Sequence, residues 1–174
     1  MVKCVLRILG IDPGYAIVGY GVLDYFRNNT FHVAAYGAIT TEADMPFEKR
    51  LVKIYEDLSY VIGRTKPDVL AIEKLFFTNN KTTGIGVGEA RGVTLLAAAQ
   101  AGLPIYEYTP NEIKLAVTGY GRAEKKQVME LTRMLLNLEK VPKPDDTADA
   151  LAVAICHAHS ASSALGELYQ RYGK

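Results

Sequence analysis

The chain is poor in cysteine: two residues, Cys4 and Cys156, among 174. Both lie in apolar contexts, and no Cys-x-x-Cys or Cys-x-x-His spacing is present, which excludes a disulfide framework and a thiolate zinc site. The cysteine usage suits a reducing compartment, and the expectation is a cytoplasmic protein. Long apolar runs are missing too. None approaches the length that spans a bilayer, so no membrane partner is expected. The first residues read as one apolar strand, not the longer apolar core of a signal sequence. Charge of one sign is not in excess either: the formal net charge is +1. A nucleic-acid partner therefore requires Lys and Arg gathered on one face, opposite the acids. There is no internal repeat or low-complexity segment, and no convincing Ser-His-Asp or Cys-His arrangement for nucleophilic catalysis.

What is present is a chain 49% hydrophobic and 22% charged, the balance of one globular domain with a full core. Three strand-like segments come first: Cys4 to Asp12, Val18 to Tyr25 and Phe31 to Thr40. Their short polar connections predict an antiparallel meander. The period then changes. Asp44 and Pro46 mark a helix start, and Phe47, Leu51, Ile54, Tyr55, Leu58, Val61 and Ile62 recur at helical spacing, with Lys49, Arg50 and Lys53 on the other side. Val69 to Ile72 is a short apolar strand. A helix rich in small residues runs from Gly84 to Ala101, and Ile105 to Tyr108 is a further strand. Thr109-Pro110-Asn111-Glu112 has capping-box spacing with Pro at the first helical position. Arg122 to Lys126 opens another helix, and the last runs from Asp145 to about His159. The order is that of an α/β domain over residues 1–159, with 160–174 a polar tail that frays.

Chemistry concentrates in four acids. The apolar run Ile8-Leu9-Gly10-Ile11 delivers Asp12 where the strand ends at Pro13-Gly14. The second apolar strand, Val69 to Ile72, ends in the same way at Glu73. Asp146 and Asp149, three apart at a helix start, share a face. Each has an ordinary reading: Asp before Pro-Gly starts turns, and acids at a helix N-terminus cap it. As a set they read differently. If the two strands are parallel neighbours, Asp12 and Glu73 lie at one sheet edge and the helix-start pair closes the site. Four clustered carboxylates cannot all ionise without cations. Hard divalent ions, Mg2+ or Mn2+, suit such an all-oxygen site. Two of them about 3.5–4 Å apart activate water and steady the leaving oxygen of a phosphodiester.

Two adjacent aromatics, Phe76 and Phe77, stand in an Asn-rich loop, one to cap the core and the other exposed for stacking. Cys156-His157-Ala158-His159 looks metal-like, but neighbours along a helix point in different directions, so His157 is read against the sheet or in a secondary role. The glycines and alanines from Gly88 to Ala99 are read, from the residues alone, as tight packing on the sheet.

The ordered set Gly10-Ile11-Asp12-Pro13-Gly14, Gly19-Tyr20-Gly21-Val22, Ala71-Ile72-Glu73 with Phe76, Gly88-Glu89-Ala90-Arg91-Gly92-Val93, Ala123-Glu124-Lys125 and Asp146-Thr147-Ala148-Asp149-Ala150-Leu151-Ala152 resembles the RuvC family of crossover-junction endodeoxyribonucleases, the bacterial Holliday-junction resolvases. The resemblance extends to about His159. It implies a ribonuclease-H-like fold, a five-stranded mixed sheet flanked by helices. It implies that Asp12, Glu73, Asp146 and Asp149 are the catalytic, metal-binding carboxylates, with two Mg2+ per site and Mn2+ as a substitute. It further implies that Phe76 stacks on a base near the junction, and that Lys114 and Lys125 serve near the scissile phosphate or along the DNA; beside Lys125, Arg122 and Lys126 are read from the residues as backbone contacts or as a solvated face of the helix's first turn. The implied partners are four-way junction DNA, a second copy of the chain across the Gly- and Ala-rich helix, and the branch-migration proteins RuvA and RuvB. The expected activity is paired symmetric nicking in recombination and repair, leaving 5′-phosphate and 3′-hydroxyl ends. Three other readings stand beside it: a junction-binding scaffold without catalysis, a related nuclease acting on RNA or RNA–DNA hybrids, and an ATPase of the actin and sugar-kinase type, for which the chain is short.

Overall fold

The structure, a computed structural model, describes residues 5–26, 28–75 and 81–162, and for residues 81–83 the backbone only. An apolar run of β-formers is stable only where both of its faces are covered. Strand β1 (Val5–Asp12) meets that condition at the centre of a five-stranded sheet ordered β3-β2-β1-β4-β5. Strands β2 (Ile17–Phe26) and β3 (Phe31–Thr40) follow as the expected antiparallel meander. Strands β4 (Val69–Glu73) and β5 (Ile105–Tyr108) extend the other side in parallel, with Ile11 opposite Ile72 and Glu73 opposite Tyr108. The sheet is mixed and flanked by helices, as the sequence pattern and the resemblance imply.

Alternation along the strands decides which helices each residue meets. Leu9, Ile11, Leu70 and Ile72 face helix α1 (Phe47–Thr65) and helix α2 (Lys81–Gln100), packing with Ile54, Leu58, Ala90, Ala97 and Ala98. Ile8, Val69 and Ala71 face the opposite layer. That layer is built of α3 (Pro110–Thr118), α4 (Lys125–Leu135) and α5 (Asp145–Ser162). Helix α5 lies between the sheet and the α3–α4 pair, which is why Thr147 to Ala158, Asp149 apart, are buried with no solvated stripe. The capping box at Thr109 forms as read: Thr109 Oγ1 accepts from the Glu112 N–H at 3.2 Å, and the Thr109 N–H donates to Glu112 Oε2 at 2.7 Å.

Several boundaries differ from the sequence reading. Helix α2 begins at Lys81, three residues before Gly84. Helix α4 begins at Lys125, and Arg122 lies in the preceding turn, because Glu124 caps the helix by donating its N–H to Gln127 Oε1 at 2.9 Å. Helix α5 continues through Ser162, so the tail does not begin at residue 160; residues 163–174 lie outside the described residues. Arg50, assigned to the polar side of α1, is buried. Its guanidinium donates to the carbonyls of Ala43 at 2.5 Å and Met45 at 3.1 Å and stacks over Tyr15, so it holds the β3–α1 connection rather than facing solvent.

Candidate active site

Strand parity sets the site. Asp12 continues the row Ile8–Gly10 that faces α5, and Glu73 continues the row Val69–Ala71 on that same face. Since β1 and β4 are parallel and in register to Ile11 and Ile72, the two acids emerge side by side at one sheet edge. The condition stated from sequence is met. The start of α5 is seated against the same edge by three glycines. A Cβ at Gly19, the residue paired with Asp12, would fall 1.9 Å from the Asp146 carbonyl oxygen. One at Gly10 would fall 2.2 Å from the Ala150 carbonyl oxygen, and one at Gly21 would strike the Leu151 side chain at 2.6 Å. Only side chains reduced to hydrogen let the helix lie this close. The glycines were visible in the sequence, but their purpose was not, since it depends on a helix more than a hundred residues away.

The electrostatics register the convergence. Burial, then the charges of Asp149, Glu73 and Asp146, push the Asp12 carboxyl up to about 8, with Lys125 alone opposing. Burial and Asp149 raise Glu73, while Lys125 and Lys114 hold it down. Burial also raises Asp149 against the pull of Lys125. Lys125, the first residue of α4, places Nζ 2.9 Å from Asp149 Oδ2 and 3.8 Å from Asp145 Oδ2. Burial works against its charge, but Asp149 prevails and holds the ammonium above its ordinary range. Lys114 on α3 is therefore close enough to act on Glu73, and Lys125 bridges to the helix-start acids. Arg122 and Lys126 are exposed, on the α3–α4 turn and the first turn of α4; no bond joins either to the four acids among the described residues. Phe76 lies outside the described residues.

All-oxygen donors carrying more negative charge than one ammonium balances fit hard divalent cations. As the side chains stand, with Lys125 on Asp149, no group of three or more His, Cys, Asp or Glu among the described residues is arranged to hold an ion. The Cys-His-Ala-His run is no metal site. His157 Nδ1 lies 2.7 Å from the Tyr108 hydroxyl, His159 Nδ1 lies 3.0 Å from the Ala116 carbonyl, and Cys156 is buried.

The family model described as crossover junction endodeoxyribonuclease RuvC matches residues 8–157. The chain belongs to the RuvC family. A relative from Alkaliphilus metalliredigens named crossover junction endodeoxyribonuclease RuvC is 58% identical over 153 residues, 88% of this chain and 93% of its own. One of the same name from Thermotoga petrophila is 56% identical over 153 residues, 88% of this chain and 92% of its own. Among solved structures, Thermus thermophilus RuvC in complex with Holliday junction substrate matches with a TM-score of 0.84 at 31% identity, over 92% of this chain and 98% of that one. RuvC membership makes the chain an endonuclease of crossover junctions with a ribonuclease-H-like fold, in a family of metal-dependent nucleases. No helix among the described residues is long and apolar enough to cross a membrane.

Proposed function

We propose that this RuvC-family chain resolves four-way DNA junctions by paired symmetric nicks at the Asp12–Glu73–Asp146–Asp149 cluster, in recombination and repair. One observation carries the reading: parallel β1 and β4 end side by side at Asp12 and Glu73 on the face where the start of α5 is seated, so that burial, then Asp149, Glu73 and Asp146, push the Asp12 carboxyl up to about 8. Such a concentration of negative charge destabilises a fold unless a cation offsets it. The four acids would hold two divalent ions, Mg2+ or Mn2+, which when bound supply an activated water and charge neutralisation at the departing 3′ oxygen. Lys125 faces charge building on the scissile phosphate. Lys114 does the same from the Glu73 side, and Arg122 and Lys126 take neighbouring phosphates. Phe76 stacks on a base at the crossover. The products carry 5′-phosphate and 3′-hydroxyl ends.

A four-way junction has approximate two-fold symmetry, so the catalyst is a homodimer with one site per opposed strand. The supporting surface is on α2. Ala90, Ala97 and Ala98 pack inward, yet a Cβ at Gly88 or Gly92 would meet nothing within 4 Å. Mid-helix glycines cost about 1 kcal/mol each relative to Ala, and among the described residues nothing lies within 4 Å to require these two. With Ile85, 64% exposed, and Leu96, 51% exposed, they form one small-and-apolar stripe suited to a second copy of the helix. The sequence reading of tight packing on the sheet holds for Ala97 and Ala98, whereas Gly92 and Ala99 are exposed; the glycine face is the one we assign to a second copy. The family resemblance adds RuvA and RuvB as partners, and the cysteine usage favours the cytoplasm as the compartment.

The test is cleavage of a synthetic four-way junction against linear duplex and an RNA–DNA hybrid, with and without Mg2+. Metal-dependent paired nicks in the junction alone are expected. Binding without nicking would favour the scaffold reading, and preference for the hybrid would favour the RNA-directed one.

A further inference from the structure

We propose that Tyr120 is a second stacking platform for DNA, presented by the α3–α4 turn; this rests on the junction-nuclease reading above. The turn is fixed at its backbone. Gly119 ends α3 in the left-handed region at φ 73°, its N–H donating to the Leu115 carbonyl at 2.8 Å. The Thr118 hydroxyl accepts from the Tyr120 N–H at 3.0 Å and lies 2.9 Å from the Tyr120 carbonyl. The Ala123 N–H donates to that same carbonyl at 3.1 Å. Yet Tyr120 is 58% exposed. The turn therefore holds an aromatic face in solvent with its backbone ordering already spent, which lowers the entropic cost of a stacking contact.

The surroundings select the partner. The ring separates two recesses of about 430 and 450 Å³, one carrying Lys126 and the other Arg122. The acids in those recesses are engaged elsewhere: Glu130 pairs with Arg133 at 2.7 Å, and Glu112 closes the capping box with Thr109. The ring stands between two exposed cations, the combination that binds single-stranded nucleic acid through base stacking and phosphate neutralisation. Lys125, the first residue of α4 and the sequence neighbour of Lys126, is the residue bonded to Asp149. An unpaired base of junction DNA whose phosphates meet Arg122 and Lys126 would stack on Tyr120.

The experiment compares Tyr120→Ala, Tyr120→Phe and Arg122→Gln with the parent protein on a four-way junction carrying 2-aminopurine near the crossover, in Ca2+ to permit binding without cleavage. Tyr120→Ala should weaken affinity about 10-fold, keep the parent's salt slope, and lose part of the 2-aminopurine quenching. Tyr120→Phe should restore all three. Arg122→Gln should instead reduce the salt slope by about 1. Parent-like affinity and quenching in Tyr120→Ala would overturn the proposal while leaving the nuclease reading intact. So would equal losses in Tyr120→Phe, or a lowered Tm that accounts for the weakening. Undiminished junction binding with loss of a protein partner would assign the ring to that partner instead. Failure of the parent itself to bind the junction removes the nuclease reading and this proposal together.

Discussion

At the scale of the residue, Asp12 works against the fold that holds it. Its carboxyl is raised by burial and three acidic neighbours, so the folded protein binds a proton there more tightly than the unfolded chain. Stability from this group is therefore lost as pH rises from about 4 through about 8, the opposite of a salt-bridged carboxylate. Asp12→Asn should raise the stability of metal-free protein at pH 8 by about 1–3 kcal/mol in denaturant titration. The same substitution should lower nicking by at least ~10³-fold while leaving junction affinity within a few-fold of the parent. Unchanged nicking would remove Asp12 from the chemistry. An unchanged or lowered stability would mean that the four acids do not repel one another as placed.

Elements carry two further consequences. The first concerns the seat of α5 on the sheet. A Cβ at Gly19 would strike backbone, the Asp146 carbonyl at 1.9 Å, and backbone cannot turn aside as a side chain can. Gly19→Ala should destabilise the protein by about 1–3 kcal/mol and reduce kcat about 100-fold or more, since a shift near 1 Å in a catalytic group has that effect. Equal kcat in a folded variant would show that the helix start tolerates displacement. The second concerns the tie between α5 and the edge strand. His157 is buried, bonded to the Tyr108 hydroxyl at 2.7 Å and stacked against Tyr106 at 4.5 Å between centroids. Tyr108 pairs with Glu73 in the parallel register, and its carbonyl accepts the Lys74 N–H at 2.8 Å. Burial pushes the His157 imidazole down to about 4. The unfolded chain then binds the extra proton below about 6.5, and stability falls as pH drops from there toward 4, by about 3 kcal/mol. His157→Gln should be less stable at pH 7 but lose that acid sensitivity, a difference visible as a flattened Tm against pH relative to the parent.

The whole molecule raises the question of a second copy. Ile85, Gly92 and Leu96 are exposed and Gly88 half-buried along one stripe, and no contact among the described residues explains its glycines. Leu96→Glu places a charge where two helices would meet, and should convert a dimer to monomers in sedimentation equilibrium without lowering the monomer's stability by more than about 0.5 kcal/mol. The variant should still nick one strand of a junction but lose the pairing of nicks. A parent protein that sediments as a monomer at micromolar concentration would overturn the dimer reading.

The sequence by itself determined the order of elements, the capping of α3 and the positions of the four acids at strand ends and a helix start, because periodicity, turn residues and caps are local properties of the chain. It also carried the family resemblance that the comparisons bear out. It did not determine Arg50, whose burial depends on carbonyls from the β3–α1 connection, nor the two faces of α2, whose small residues look alike until the sheet covers one side. Tertiary structure alone decided that Asp12 and Glu73 leave the sheet on one face, that α5 sits low enough on Gly10, Gly19 and Gly21 to bring its acids to them, and that Lys125 closes on Asp149. Those are distances between segments far apart in the chain. They are set by register, parity and the thickness of the packed layers, and no stretch of residues encodes them until the layers are assembled.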